Sequence, residues 1–292
     1  MKPLSQKTTI LGAGLLGGSL GMALRQRGLA KEVHAWSPSE RTRKICEESD
    51  WCSAVYRDAT TACGGADLVF LCGPVDTIPP LLEEIAPSCG EGCLLTDVGS
   101  TKARISETGS RVFPSSHAAT FIGSHPMAGS EKSGLQYADP HLFLGKTCII
   151  TPTKPSSGPL QRLLQIWKEL GMETFECSPA EHDRIVAHMS HLPHGLAAIL
   201  CAVLADLPDD WAACAGNGLR DTTRVAAGDP KLWMAIFRDN ETAFRESLKR
   251  IQVGLDEMHA ALDSPDNLLL DELLGKAREY RVGLEEKDPQ NG

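Results

Sequence analysis

Short apolar runs recur through the first 177 residues at a spacing that predicts strands over residues 9–11, 32–36, 68–72, 93–96, 120–123, 148–151 and 173–176. Between them, residues 16–27, 38–48 and 160–170 carry apolar positions three and four apart and read as helices. Strand and helix in alternation predict an α/β fold with a parallel, doubly wound sheet. From Ser178 onward the alternation stops. Ser178-Pro-Ala-Glu181 is a capping box with proline at the first helical position, and Ile185, Val186, Met189 and Leu192 continue from it. Pro193 deprives the Met189 carbonyl of its helical partner, which predicts a kink there. A second start, Asp229-Pro230, precedes Leu232, Ile236, Phe244, Leu248, Ile251, Leu255 and Met258, a stripe that predicts one helix of about seven turns. A further helix is expected over 268–280 and a polar, disordered tail over 285–292. The expected division is therefore an α/β domain over 1–177 and an all-helical domain over 178–284.

Composition narrows the functional classes. The 292 residues carry a formal net charge of −9, so there is no basic surplus with which to hold a nucleic acid. Ten cysteines lie at irregular spacing, without a C-x-x-C pair, as expected of reduced thiols rather than a disulfide framework or a metal site. No N-terminal signal pattern and no apolar run of spanning length are read in the sequence, so a cytoplasmic protein with no membrane partner is expected.

The most specific local signal follows the first strand. Gly12-Ala-Gly14-Leu15-Leu16-Gly17 lies between an apolar run and a helical pattern, the context in which G-x-G-x-x-G denotes a Rossmann-type dinucleotide site. Gly12 permits the tight turn, Gly14 lets backbone approach a pyrophosphate, and Gly17 lets helix pack on strand. The N–H groups opening the helix, through Leu15 and Leu16, complete the anion site. The second strand ends at Ser37, where NAD-binding proteins place a carboxylate. Ser37 with Arg41 or Arg43 fits a 2′-phosphate, so the expected cofactor is NAD or NADP, with the balance tilted to NADP. The alternative is that these arginines form a solvated helix face.

Three further segments carry candidate chemistry. Thr96-Asp-Val-Gly-Ser100-Thr-Lys102 leaves a strand end, where Ser100 and Lys102 are expected to face the nicotinamide region, or Ser100 simply caps the next helix. His125, held by Pro126 in a glycine-rich stretch, is expected on a short loop, placed to exchange a proton with a substrate hydroxyl. His188, His191 and His194 drift around the helix without an acidic partner, and no metal site is expected from them. Arg220 and Arg224 lie in a polar segment where either one clamps a carboxylate or pairs with Asp221 or Asp229.

In order, Gly12-Ala-Gly-Leu-Leu-Gly-Gly-Ser19, Thr96-Asp-Val-Gly-Ser-Thr-Lys102, Gly123-Ser-His-Pro-Met-Ala-Gly129 with Glu131, Ser190-His-Leu-Pro-His194 and Gly218-Leu-Arg-Asp-Thr-Thr-Arg-Val-Ala226 with Trp233 resemble the prephenate/arogenate dehydrogenase family. The resemblance implies oxidative decarboxylation of a cyclohexadienol, with hydride passing to a nicotinamide and a small dicarboxylate as substrate. It implies that His125 is the base and Ser100 orients it. It further implies that His194 and Arg224 bind substrate, that His191 supports that wall, and that Ser130 and Glu131 line the other side. It also implies a homodimer built on the helical domain. A β-hydroxyacid dehydrogenase of similar build would need a lysine on a C-terminal helix, and none occurs between Lys168 and Lys231. A catalytically inactive nucleotide-sensing protein would have no use for His125 and Arg224, both of which are present.

Overall fold

The computed structural model describes residues 2–129, 132–153 and 158–286. Six parallel strands form the main sheet in the order β3-β2-β1-β4-β5-β6. They are β1 (Ser5–Leu11), β2 (Ala30–Trp36), β3 (Ala54–Tyr56), β4 (Leu68–Leu71), β5 (Leu94–Asp97) and β6 (Thr120–Phe121). The intervening helices are α1 (Leu15–Gln26), α2 (Glu40–Glu47), α3 (Ala59–Cys63), α4 (Ile78–Ile85) and α5 (Ala103–Val112). β4 is completely buried, as a central parallel strand must be, and its run Leu68-Val-Phe-Leu71 is apolar throughout. The chain reverses direction across the sheet between β1 and β4, so the carboxyl ends of those strands form the ligand crevice.

Two features of this half depart from the sequence expectation. The run expected as one strand over 120–123 is two, because the chain turns after Phe121 and leaves the main sheet. Its continuation, β7 (Gly123–Pro126), pairs antiparallel with β8 (Thr147–Thr151), which pairs in parallel with β9 (Glu173–Glu176) beyond α6 (Gly158–Glu169). His125 therefore lies within a strand, opposite Ile149, and not on a loop. The edge strand β3 and the helices α3, α4 and α5 add to the elements expected from the sequence.

By packing, the chain divides into two units, Met1–Asn240 and Glu241–Gly292. The first includes α7 (Pro179–Val186), a π-helical turn (Ala187–His191), α8 (Leu192–Leu204), α9 (Asn217–Thr223) and α10 (Pro230–Asp239). The kink expected at Pro193 takes the form of that π turn, with Pro193 lodged in the first turn of α8, where its missing N–H does no harm. The run Pro179–Leu204 is long and apolar enough to cross a membrane by length and composition, contrary to the sequence expectation. It also carries buried His182, Asp183 and His191, which are hydrogen-bonded within the chain.

The second unit is α11 (Glu241–Asp263) packed on α12 (Leu268–Glu286). The single long helix expected from Asp229-Pro230 is thus two helices, broken at Asn240, whose backbone leaves helical geometry at φ −111° and ψ 33°. The apolar stripe hides the break because it resumes in register on the other side. Of the tail expected to be disordered, Glu285 and Glu286 continue α12, and residues 287–292 lie outside the described ones.

Candidate active site

The glycine turn has the geometry a dinucleotide needs. Gly12 has φ +102°, and a Cβ there would lie 2.9 Å from the Cys72 carbonyl carbon, at the end of β4. A Cβ on Gly17 would fall 2.2 Å from the Gly12 carbonyl oxygen and 2.9 Å from Ile10 Cγ2, so strand and helix touch only because residue 17 is glycine. The Gly14 Cβ direction has nothing within 4 Å, and no side chain caps α1. One glycine makes the turn, one makes the contact, and one leaves room at a helix N-terminus whose N–H groups have no side-chain acceptor. A pyrophosphate fits this arrangement.

Just beyond β2, Ser37 is buried and its hydroxyl accepts the Ser39 N–H at 3.3 Å. Arg43 reaches back to the Ser37 and Pro38 carbonyls at 2.6 and 3.0 Å. Arg41 is exposed on α2. Of the two arginines, Arg43 is the one fixed beside Ser37.

The seam between the main sheet and β7 is held by Asp97, the last residue of β5. Its carboxylate accepts the Gly99 N–H at 2.8 Å and the Ser124 N–H at 3.2 Å, and Ser124 Oγ donates to the Asp97 carbonyl at 2.6 Å. Lys102 is fully buried and pairs with Asp97, so it faces inward and not the crevice. Burial raises the Asp97 pKa, and Lys102 and the two N–H donors oppose that rise. Next to this seam stands His125.

His125 Nδ1 lies 2.9 Å from His182 Nε2, and His182 Nδ1 lies 2.8 Å from Asp183 Oδ1. Asp183 also accepts the Lys102 N–H at 2.7 Å and the Ala103 N–H at 2.9 Å, capping α5 from another helix. That is the role Ser100 was offered as an alternative in the sequence, and Asp183 fills it. Asn240, at the helix break, donates to the Asp183 carbonyl at 2.7 Å and to His191 Nδ1 at 3.3 Å. His191 is fully buried, with the Ser100 backbone beside it. Its ring meets Trp233 edge-on, and Trp233 stacks on His194 with ring centroids 3.5 Å apart. Arg224, in the short turn after α9, lies close enough to His194 to lower its pKa, although desolvation is the larger cause.

Burial sets the charge state of this wall. Desolvation first, and the neighbouring His182, Lys102 and His191 next, hold the His125 pKa well below 6.5. The same desolvation takes His182 down to about 2 and His191 to about 4. All three rings are neutral at pH 7. A chain of contacts thus runs from His125 through His182, Asp183, Asn240, His191 and Trp233 to His194, with the Ser100 backbone beside His191 and Arg224 near His194. Ser130 and Glu131 lie outside the described residues.

Sequence reasoning missed His182, Asp183 and Asn240. A signal did exist: His182, Asp183 and Val186 share one face of α7, so two polar residues occupy core-facing positions beside an apolar one.

Comparison with known proteins agrees with this geometry. The prephenate dehydrogenase nucleotide-binding domain family matches residues 20–176, and the prephenate dehydrogenase dimerization domain family matches residues 178–276. A prephenate dehydrogenase of Bacillus subtilis is 31% identical over 95% of this chain and 76% of its own length. The crystal structure of prephenate dehydrogenase from A. aeolicus in complex with hydroxyphenyl propionate and NAD+ superposes with a TM-score of 0.86 at 26% identity, covering 97% of this chain and 98% of that one. Synechocystis arogenate dehydrogenase superposes with a TM-score of 0.79 at 30% identity, covering 96% and 99%.

Proposed function

The chain belongs to the prephenate dehydrogenase family, and from that premise we propose how its residues share the work. It is an oxidoreductase of tyrosine biosynthesis that oxidatively decarboxylates prephenate or arogenate with a nicotinamide dinucleotide. When bound, a nicotinamide would supply the hydride acceptor for the hydroxyl-bearing ring carbon, whose oxidation accompanies loss of the ring carboxylate as CO2 and aromatisation of the ring. Aromatisation drives the step, which leaves the protein to supply a base, alignment and anion recognition.

In this reading Gly12, Gly14, Leu15, Leu16 and Gly17 hold the pyrophosphate. His125 takes the hydroxyl proton and Ser100 orients the hydroxyl toward it. Arg224 clamps a substrate carboxylate beside His194, and Trp233 and His191 fix the His194 ring from behind. The observation that carries this assignment is the burial of neutral His125 at the carboxyl edge of the sheet, joined to the His191–Trp233–His194 wall. Ser37 in place of an acid, with Arg43 beside it, supports use of NADP at least as well as NAD.

The apolar faces of the helical segment support a homodimer. Ile199, Val203 and Leu207 are exposed in the first unit, as are Val253, Leu255 and Leu262 in the second. Apolar exposure of that extent is a liability in a monomer and normal at a twofold interface. The test of the function is direct. Purified protein mixed with prephenate or arogenate and NAD or NADP should generate reduced cofactor. Absence of turnover in all four combinations would refute the reading, and an active monomer in sedimentation at micromolar concentration would refute the dimer.

A further inference from the structure

The line His125–His182–Asp183 fixes protons as well as positions. Asp183 accepts two backbone N–H groups, one on each oxygen, so it presents a lone pair, not a hydroxyl, to His182. His182 therefore donates from Nδ1, which leaves Nε2 as an acceptor. Among the described residues, the group that faces Nε2, across 2.9 Å, is His125 Nδ1, which therefore carries the proton. His125 is then a neutral ring with a bare Nε2, the form a base requires. Asn240 holds the same arrangement from behind, through the Asp183 carbonyl.

We infer that His182 and Asp183 form a buried relay behind His125, which fixes its tautomer and takes up the Nδ1 proton that His125 releases as its Nε2 accepts the proton of the substrate hydroxyl. The inference rests on the assignment of His125 as the base. As the O–H bond of the ring hydroxyl breaks, its proton bonds to His125 Nε2, and the His125 Nδ1 proton passes to His182 Nε2. The C–H electron pair leaves as hydride to the oxidised nicotinamide, and the C–CO2 electron pair enters the ring. His125 ends neutral with its proton on Nε2, and the positive charge rests on His182 against the Asp183 carboxylate. His182 and Asp183 act through His125 and are positioning residues. Lys102 and His191 face the cluster from the start of α5 and from the π turn, and both disfavour a cation there. Asp183 is the group that favours one.

Two measurements test this. In wild-type protein labelled with 15N-histidine, the ring nitrogens at pH 7 should show His125 protonated at Nδ1 and bare at Nε2, with His182 protonated at Nδ1. His125 protonated at Nε2 would overturn the relay, and this readout needs neither a variant nor turnover. The second uses His182→Gln, whose side-chain oxygen still accepts from His125 Nδ1–H but cannot take up the proton. Its kcat should fall at least about tenfold with substrate KM nearly unchanged. The acid limb of its kcat/KM profile should shift, because the positive charge then stays on His125 and does not pass to a ring beside the Asp183 carboxylate. A wild-type kcat, or a lower kcat with an unmoved acid limb, would reduce His182 to packing. If the variant fails to fold, the tautomer measurement decides. Wild-type protein without turnover on either substrate would instead refute the activity itself.

Discussion

The glycine turn after β1 grips through backbone alone, whereas the histidine wall buries five polar side chains drawn from four separate segments. Gly12, Gly14 and Gly17 contribute no titratable group, and what matters at each is the presence or absence of a Cβ. His125, His182, Asp183, His191 and Asn240 come from β7, α7, the π turn and the break after α10, and hydrogen bonds of 2.7 to 3.3 Å connect them. The turn is therefore sensitive to bulk and indifferent to pH, and the wall is the reverse. On the proposed reading, cofactor grip and proton chemistry therefore fail under different insults.

The largest expected effect lies at the seam between the main sheet and β7, beside the wall. Lys102→Met keeps the buried volume but leaves Asp97 charged and unpaired in the interior, which should cost about 3–5 kcal/mol. Urea denaturation measures it, and a loss below about 1 kcal/mol would show that the pair does not hold β5 to the wall.

Next comes pH. The unfolded chain protonates His125, His182 and His191 near pH 6.5, and the folded chain holds all three neutral well below that. Their contribution is complete above about pH 7 and is lost as pH falls, by about 2 kcal/mol per histidine at pH 5. The raised carboxyl groups of Asp97 and Asp183 favour folding on acidification and reduce the sum. Denaturation at pH 7.5 and pH 5 should still show a net loss. Equal stability at the two would mean that the wall is not held neutral. Over the same range, the affinity of the folded protein for NAD should stay flat.

The smallest effect sharpens the cofactor side. Ser37→Asp places a carboxylate where the adenosine ribose is expected and should shift the NAD to NADP ratio of kcat/KM about tenfold toward NAD. An unchanged ratio would remove residue 37 from cofactor choice.

The same contrast decides what was legible in the sequence. The turn was readable because its determinants are contiguous and each glycine has a local reason. His125 was readable as a candidate, but its strand was not, since Gly123 and Pro126 resemble loop residues and the partner strand β8 lies more than twenty residues away. His182 and Asp183 were hidden by the capping box at Ser178, which made α7 look like an ordinary helix start. Their pairing becomes visible only when β7 and α7 come together. Asn240 was overlooked because apolar periodicity continues across it, and periodicity reports the face of a helix, not its continuity.

The claim that chemistry and cofactor grip are separable rests on His125. In His125→Asn, single-turnover kinetics with saturating substrate should show hydride transfer slowed by about 10²–10⁴-fold, while the NAD dissociation constant stays within about twofold of wild type. A near-normal transfer rate would take His125 out of the reaction, and a lost cofactor affinity would show that the wall and the turn act as one site.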